Sequence, residues 1–78
     1  MPHYFFDTRD DDTFIQDEEG VELPDLESAK EVAAKSLAEL ALDVLPCSAR
    51  RELAVEVRAE KTLLLKALLH FEAIILVE

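Results

Sequence analysis

Four aspartates close to the amino terminus form the first group of side chains whose type and spacing could carry chemistry. They are Asp7, Asp10, Asp12 and Asp17, and carboxylate oxygens are the ligands that a hard cation such as Ca²⁺ prefers. An EF-hand loop also needs a glycine at its sixth position, and no loop that starts at one of these aspartates has one. We therefore interpret the group as a solvated acidic turn and predict no metal-binding residue.

The two histidines, His3 and His70, are the second group. Both fall in predicted strands, so they could meet across neighbouring strands near Asp7 or Glu72. Two imidazoles and a carboxylate can bind a metal ion or transfer protons. A partly exposed histidine on a strand, with no functional role, is the commoner situation, and we predict this for both residues.

Cys47, followed by Ser48, is the one candidate nucleophile of the thiol type. Arg50 and Arg51 stand close enough in sequence to favour a reactive thiolate. Nucleophilic catalysis also needs a base and an oxyanion site, and no pattern identifies either. We interpret Cys47 as an incidental loop thiol. A single cysteine excludes an internal disulfide and a cysteine-based zinc site, and this usage fits a reducing compartment.

Three consecutive aromatic residues, Tyr4, Phe5 and Phe6, resemble the stacking platforms of RNA-binding sheets. Such platforms are flanked by basic residues, whereas Asp7 and residues 10–12 are acidic. We expect Phe6 or Phe5 to pack in a core instead. Because the chain has one glycine, it cannot form a glycine-rich phosphate loop. We predict no catalytic and no cofactor-binding residue, and therefore no enzyme.

The net charge of −10 is distributed unevenly. Residues 1–25 hold nine acids and one base, a net charge of −8, and the remaining residues carry −2. An acidic surface repels phosphate backbones, so we expect no nucleic-acid partner. The same surface could attract a basic protein partner or could be a solvated face that keeps the protein soluble.

One long amphipathic helix is predicted over residues 23–45. Asp25 is placed to cap it, and Pro24 and Pro46 bound it. Its predicted buried face consists of Leu26, Ala29, Ala33, Leu37, Leu40 and Val44, which recur at three- and four-residue steps. Such a helix needs an apolar surface to cover.

Short strands surround this helix. Residues 3–8 and 13–17 are predicted to form a hairpin, followed by Gly20 at a positive φ and an extended approach to the helix. Residues 51–59 alternate apolar and polar side chains as a half-buried strand does. The carboxyl-terminal segment from Leu63 onward could form a helical stripe, but we predict a strand, because a short turn joins it to the preceding strand and because Ile74, Ile75 and Val77 favour a strand.

The predicted fold is therefore α+β, a β-β-α-β-β two-layer sandwich in which one helix lies on a small antiparallel sheet. We expect a single domain, residues 1–78. The five apolar residues 73–77 exceed what so small a domain can cover, which favours a homodimer. No secretory signal and no membrane-spanning stretch is visible, so we expect a cytoplasmic protein without a membrane partner.

Three stretches carry a resemblance to a known family. The start MPHYFFDTRDDD, the centre DEEGVELPDLESAKEVA and the later RELAVEVR resemble a family of small alphaproteobacterial proteins of unknown function. That family has an MPxYFFD start and a DEEGxELPDLxxA centre. The resemblance implies a bacterial cytoplasmic protein and brings no activity or site residue. Asp11 and residues 60–61 stand where the pattern leads us to expect glycines in the turns.

A looser resemblance extends to the antitoxin domain of HicB-type toxin–antitoxin pairs. The matching pieces are residues 4–6, residues 10–12, the segment Pro24, Asp25, Leu26 and the alanine-rich helix. This resemblance is at the level of the fold and does not transfer function. The sequence therefore predicts a non-enzymatic, homodimeric interaction or structural module, with an antitoxin-like module that binds a basic protein as the alternative.

Overall fold

The computed structural model describes residues 1–77 and consists of one helix on a five-stranded antiparallel sheet. Strands β1 (His3–Asp10), β2 (Thr13–Ile15) and β3 (Val21–Glu22) precede helix α1 (Leu26–Val44); a 3₁₀ turn (Leu45–Cys47) then leads to β4 (Arg50–Ala59) and β5 (Thr62–Glu72). The predicted α+β two-layer fold is confirmed. The extended approach to the helix is itself a short strand, β3, which pairs with the start of β1.

The strand order of the sheet is β2-β1-β4-β5, and all pairs are antiparallel. Strand β1 pairs with β4 on one side and is shared on the other side between β3, at its beginning, and β2, at its end. Strand β4 is central, and β5 is the edge of the sheet farthest from β2. The strand predicted for the carboxyl-terminal segment is confirmed over Thr62–Glu72, whereas the prediction is wrong for residues 73–77, which belong to no strand.

Helix α1 begins as the sequence indicates. The Asp25 side chain accepts a hydrogen bond from the Ser28 backbone N–H at 2.9 Å, which satisfies one of the free donors of the first turn. The regular helix ends at Val44, and Pro46 stands in the 3₁₀ turn that follows. None of the helical residues among 1–77 forms a segment long and apolar enough to cross a membrane.

The core lies between α1 and the centre of the sheet. Its buried members are Tyr4, Ala29, Ala33, Leu37, Leu53, Val55 and Val57. Small alanines on the helix let it approach the branched side chains of β4 closely, as dense packing requires. The prediction that Leu26 belongs to the buried face is wrong, because it lies in the first turn, beyond the covered part of the sheet, and is 42% exposed.

Three backbone positions have a positive φ. Gly20 has a φ of 69°, which confirms the prediction for that residue. Asp11 and Glu60 have φ values of 53° and 57°, and both stand in hairpin turns where the sequence led us to expect glycine. The turn geometry is therefore retained with residues that bear a Cβ atom, which adopt this conformation at an energetic cost.

Candidate functional site

Three of the four aspartates near the amino terminus, Asp7, Asp10 and Asp17, are bonded to donors within the protein. The interpretation of the group as a solvated acidic turn is therefore wrong for Asp7, which is buried. The Asp7 carboxylate, which is buried, accepts from Arg58 Nε at 2.8 Å and from the Asp17 backbone N–H at 2.9 Å. The Asp17 carboxylate in turn accepts from the backbone N–H of Phe6 at 3.0 Å. This Asp7–Arg58–Asp17 network joins β1, β4 and the loop before β3. These bonds hold the loop before β3 against β1 and β4, so we assign the network a structural role.

The loop that carries Asp17 closes on the same carboxylate. Glu19 and Gly20 donate their backbone N–H groups to Asp17 Oδ1 at 3.1 and 3.2 Å. Burial acts to raise the pKa of the Asp17 carboxyl. The three backbone donors and the positive charge of Arg58 outweigh burial, so the pKa of Asp17 lies below its ordinary value. The ionised form therefore holds the loop.

Asp10 lies in a separate ion pair on the helix side of the sheet. Arg51 binds it through two parallel hydrogen bonds, Nε to Oδ1 at 2.6 Å and Nη2 to Oδ2 at 2.8 Å. The hydrogen bond from Arg51 holds the pKa of the Asp10 carboxyl below its ordinary value. Asp12 is exposed in the β1–β2 turn. The four aspartates do not converge on one point, and residues 1–77 contain no cluster of three ligands suited to a metal ion.

The two histidines lie at opposite ends of the sheet. His3 begins β1 and pairs with Glu22 of β3, whereas His70 lies near the end of β5 and pairs with Glu52 of β4. His3 Nε2 is 2.8 Å from the Glu19 carbonyl oxygen. The possibility that the histidines meet across neighbouring strands is wrong, because β4 separates β1 from β5 and the residues stand at opposite ends of the register.

Cys47 is exposed in the 3₁₀ turn after α1, and its neighbours are engaged elsewhere. Ser48 Oγ donates to the Val44 carbonyl oxygen at 2.6 Å and accepts from Arg51 Nη1 at 2.9 Å. These bonds satisfy a free carbonyl at the end of the helix. Ser48 and Arg51 therefore anchor the connection between α1 and β4.

The aromatic residues divide between the two faces of the sheet. Tyr4 is buried in the core and Phe6 packs against it, so the expectation of a core aromatic is confirmed by Phe6. Phe5 points to the face away from the helix, where the Arg58 guanidinium lies 4.5 Å from its ring centre. A ring covered by an arginine in this way is a cation–π contact. The three rings do not form one stacking surface.

The face of the sheet away from the helix carries a row of ion pairs across three strands. Glu56 of β4 is bonded to Arg9 of β1 at 2.8 Å and lies 3.8 Å from Lys66 of β5. Oppositely charged neighbours on adjacent strands support the register of a sheet. Within residues 1–77 this face therefore combines paired charges with the exposed side chain of Leu68.

The outer edge of β1 is closed. Strand β3 covers its beginning and β2 its end, and the gap between them is filled by Asp17. The Phe6 N–H points outward at this gap and is satisfied by the Asp17 carboxylate. A side chain thus takes the place of a strand where pairing is missing, so the outward N–H of Phe6 is not available to another strand.

The outer edge of β5 is open over eleven residues. The Ala73 N–H bonds the Ala49 carbonyl at 2.8 Å, so the odd-numbered residues of β5 from Leu65 onward bond to β4 along the regular register. A register shift between Leu63 and Leu65 interrupts this pattern at the beginning of the strand. By the alternation of an antiparallel ladder, the even-numbered residues Lys66, Leu68 and His70 direct their N–H and C=O groups outward. No strand among residues 1–77 receives these groups.

Apolar surface accompanies this open edge. Leu63 and Leu68 of β5 are 51% and 70% exposed. The strand is followed by the apolar segment (residues 73–77), in which Ile74, Ile75, Leu76 and Val77 are 70 to 88% exposed. Long, apolar edge strands pair readily with other chains.

A groove runs along the helix side of the same edge, between α1 and β5. Its volume is about 1050 Å³. Its walls are mostly apolar, with Lys30 and Lys66 as the charged members; the other lining residues are Ala34, Leu37, Ala38, Ala41, Leu42, Leu45 and Pro46 from the helix side and Leu65, Ala67, Leu68, Leu69 and Phe71 from β5. The groove exists because a single helix, about 10 Å wide, cannot cover the core and the edge of the sheet together.

The fold and its edges define a small α+β protein with one closed and one open sheet edge. Residues 3–69 match the family described as a domain of unknown function (DUF6894), and the chain belongs to this family. No curated protein and no solved structure matches the chain. The expectation of a family of unknown function is confirmed, whereas the alphaproteobacterial origin and the likeness to HicB-type antitoxins stay predictions.

Proposed function

We propose that the protein is a non-enzymatic interaction module that acts as a homodimer through the edge of β5. The observation that carries the proposal is the open edge itself: outward N–H and C=O groups on an eleven-residue strand, next to exposed apolar side chains. Addition of a strand to such an edge is a recurrent mode of protein recognition. A second copy has an identical edge, so pairing of the two edges would satisfy the outward N–H and C=O groups of both chains.

The charge distribution supports pairing at β5 despite the net charge of −10. Most of that charge lies in the first 25 residues, which form the β1, β2 and β3 side of the sheet. Strand β5 contains one lysine and one glutamate, so its formal charge is zero with a neutral histidine. Two copies that meet through β5 therefore keep their acidic edges far apart.

The test is a sedimentation measurement on the chain and on two variants of one residue. Leu68→Pro removes an outward N–H that has no partner within residues 1–77, so the fold tolerates it as an edge proline while strand addition is blocked. Leu68→Ala shortens the same side chain and retains the N–H. We expect dimers for the chain and for Leu68→Ala and monomers for folded Leu68→Pro. A monomeric chain would contradict the proposal.

A second candidate function rests on the exposed acids of the opposite edge. Asp12, Glu18, Glu19 and Glu22 are exposed there, and a basic protein of the kind that an antitoxin-like module would bind could use them. Charge reversal at Glu18 and Glu19 should then abolish capture of that basic protein and leave the oligomeric state unchanged. We also propose a reducing compartment such as the cytoplasm, which the exposed thiol of Cys47 favours.

A further inference from the structure

The side chains of β5 restrict how two copies can pair. Outward groups of one copy must meet outward groups of the other, so even-numbered residues of β5 face even-numbered residues. Directly opposed residues in a sheet place their side chains on the same face. Both helices of the dimer therefore lie on the same face of one continuous sheet. On the other face, Lys66, Leu68, His70 and Glu72 of one copy meet the same residues of the second copy.

We infer, on the basis of the proposed homodimer, that Leu69 of one copy lies directly opposite Leu69 of the second copy. The two-fold axis of the dimer then passes midway between these two residues, and we describe this register as having its axis at Leu69. In this register Lys66 lies opposite Glu72 of the second copy, and by symmetry the contact occurs twice. Both side chains are exposed and have only long contacts within the chain. Lys66 is about half exposed and lies 3.8 Å from Glu56, and Glu72 is exposed at the end of β5 and lies 3.6 Å from His70. Opposite charges in directly opposed positions stabilise a sheet, and like charges destabilise it.

Neighbouring registers lack this complementarity. With the axis at Leu68, Lys66 meets His70 of the second copy and Glu72 meets Leu64. With the axis at His70, Lys66 meets Ile74 of the second copy. Neither arrangement forms an ion pair between carboxylate and ammonium groups along β5.

The same register also covers the apolar segment (residues 73–77). Ala73 lies opposite Leu65 of the second copy, and Ile74 comes next to Leu64, which stands at the register shift of β5 and is 40% exposed. Ala73 already continues the ladder through its bond to Ala49, so the segment needs only to remain extended to add to the pairing. Leu65 lines the α1–β5 groove, and the segment of the second copy therefore closes one end of that groove.

Charge reversal tests the register. In Lys66→Glu and in Glu72→Lys, two opposed like charges replace two ion pairs, and we expect dimerisation to weaken about tenfold or more. A one-to-one mixture of the two variants restores both ion pairs in a heterodimer, so dimer formation should return in the mixture. Circular dichroism establishes that each variant is folded. Unchanged dimerisation in the single variants, or no recovery in the mixture of folded variants, would overturn the register.

Cross-linking gives an independent readout should Lys66→Glu disturb the fold beside Glu56. In a Cys47→Ser background, Leu68→Cys mixed with His70→Cys should form the mixed disulfide on oxidation, since directly opposed positions lie within disulfide reach. A disulfide in Leu68→Cys alone would instead place the axis at Leu68 and overturn the proposal. A chain that is monomeric throughout contradicts the proposed homodimer, whereas a dimer with another cross-link contradicts the register alone.

Discussion

The two edges of the sheet differ in how the outward N–H and C=O groups of their strands are bonded. The edge of β1 is covered by two short strands, and the remaining outward N–H, that of Phe6, is bonded by the Asp17 carboxylate. The edge of β5 is longer, mostly apolar and unpaired among the described residues. Proteins commonly protect an edge with charge, short strands or a covering loop. The β1 edge has short covering strands and a covering side chain, whereas β5 has only the charges of Lys66 and Glu72, and our proposal that β5 is the surface for association is based on this difference.

The difference also accounts for where the acids lie. Asp7 and Asp17 stabilise the closed edge, because their carboxylates accept hydrogen bonds from Arg58 and from backbone N–H groups. Carboxylates bound in this way have little capacity left for a ligand. A cluster of acidic residues in a sequence can therefore indicate carboxylates that bond donors at a sheet edge, and not a ligand-binding site.

Removal of Arg58 should have the largest effect on the closed edge. Arg58→Ala leaves the buried Asp7 carboxylate without its cation, and we expect a loss of about 3 kcal/mol in the free energy of unfolding. Urea denaturation measures this loss. Arg50→Ala is the matched control, because Arg50 is exposed at the opposite end of the same strand, β4. An equal loss in both variants would show that the network does not hold the edge.

Gly20→Ala should open the same edge at the loop. A Cβ atom at position 20 would lie 2.8 Å from the Tyr4 carbonyl oxygen, at a φ of 69°. We expect a destabilisation of about 2 kcal/mol, measured by thermal or urea unfolding. Dimerisation through β5 should be unchanged, and a large change in the dissociation constant would contradict the independence of the two edges.

Asp17→Asn should lower stability by about 1 to 2 kcal/mol near neutral pH, because charge-assisted bonds to backbone N–H groups are weakened. The pKa of Asp17 is lowered in the folded protein, so its contribution is fully present above about pH 4 and is lost as the pH falls through the folded-state pKa. The stability difference between the chain and the variant should therefore shrink below pH 4. A difference that does not vary with pH would show that the carboxylate charge is not involved.

The smallest expected effect lies at the hairpin that leads into the open edge. Glu60→Gly relieves a positive φ of 57°, and we expect a gain in stability of up to about 1 kcal/mol. Lys61→Gly, one residue further along, is the control and should give no gain. Differential scanning calorimetry on both variants distinguishes relief of backbone strain from a general effect of glycine.

The local parts of the fold could be predicted from the sequence, and the contacts between distant segments could not. The helix with its Asp25 cap, the positive φ at Gly20 and the turns at Asp11 and Glu60 follow from short patterns. Alternation along a strand does not reveal which face is covered, so the burial of Tyr4 was missed. The bond from Phe6 to Asp17 joins residues eleven positions apart through a loop, and no periodicity signals it. Uncovered apolar surface was predicted from residues 73–77, whereas the open edge of β5 and the strand order required the structure.

Amide hydrogen exchange at the two edges tests the central claim most directly. The outward N–H groups of Leu68 and His70 have no partner among residues 1–77, whereas the outward N–H of Phe6 is bonded to Asp17. At concentrations where the protein is associated, we predict slow exchange at Leu68 and His70, comparable to that at Phe6, and fast exchange at the two β5 positions on dilution. Fast exchange at Leu68 and His70 at every concentration, with Phe6 still protected, would contradict association through β5.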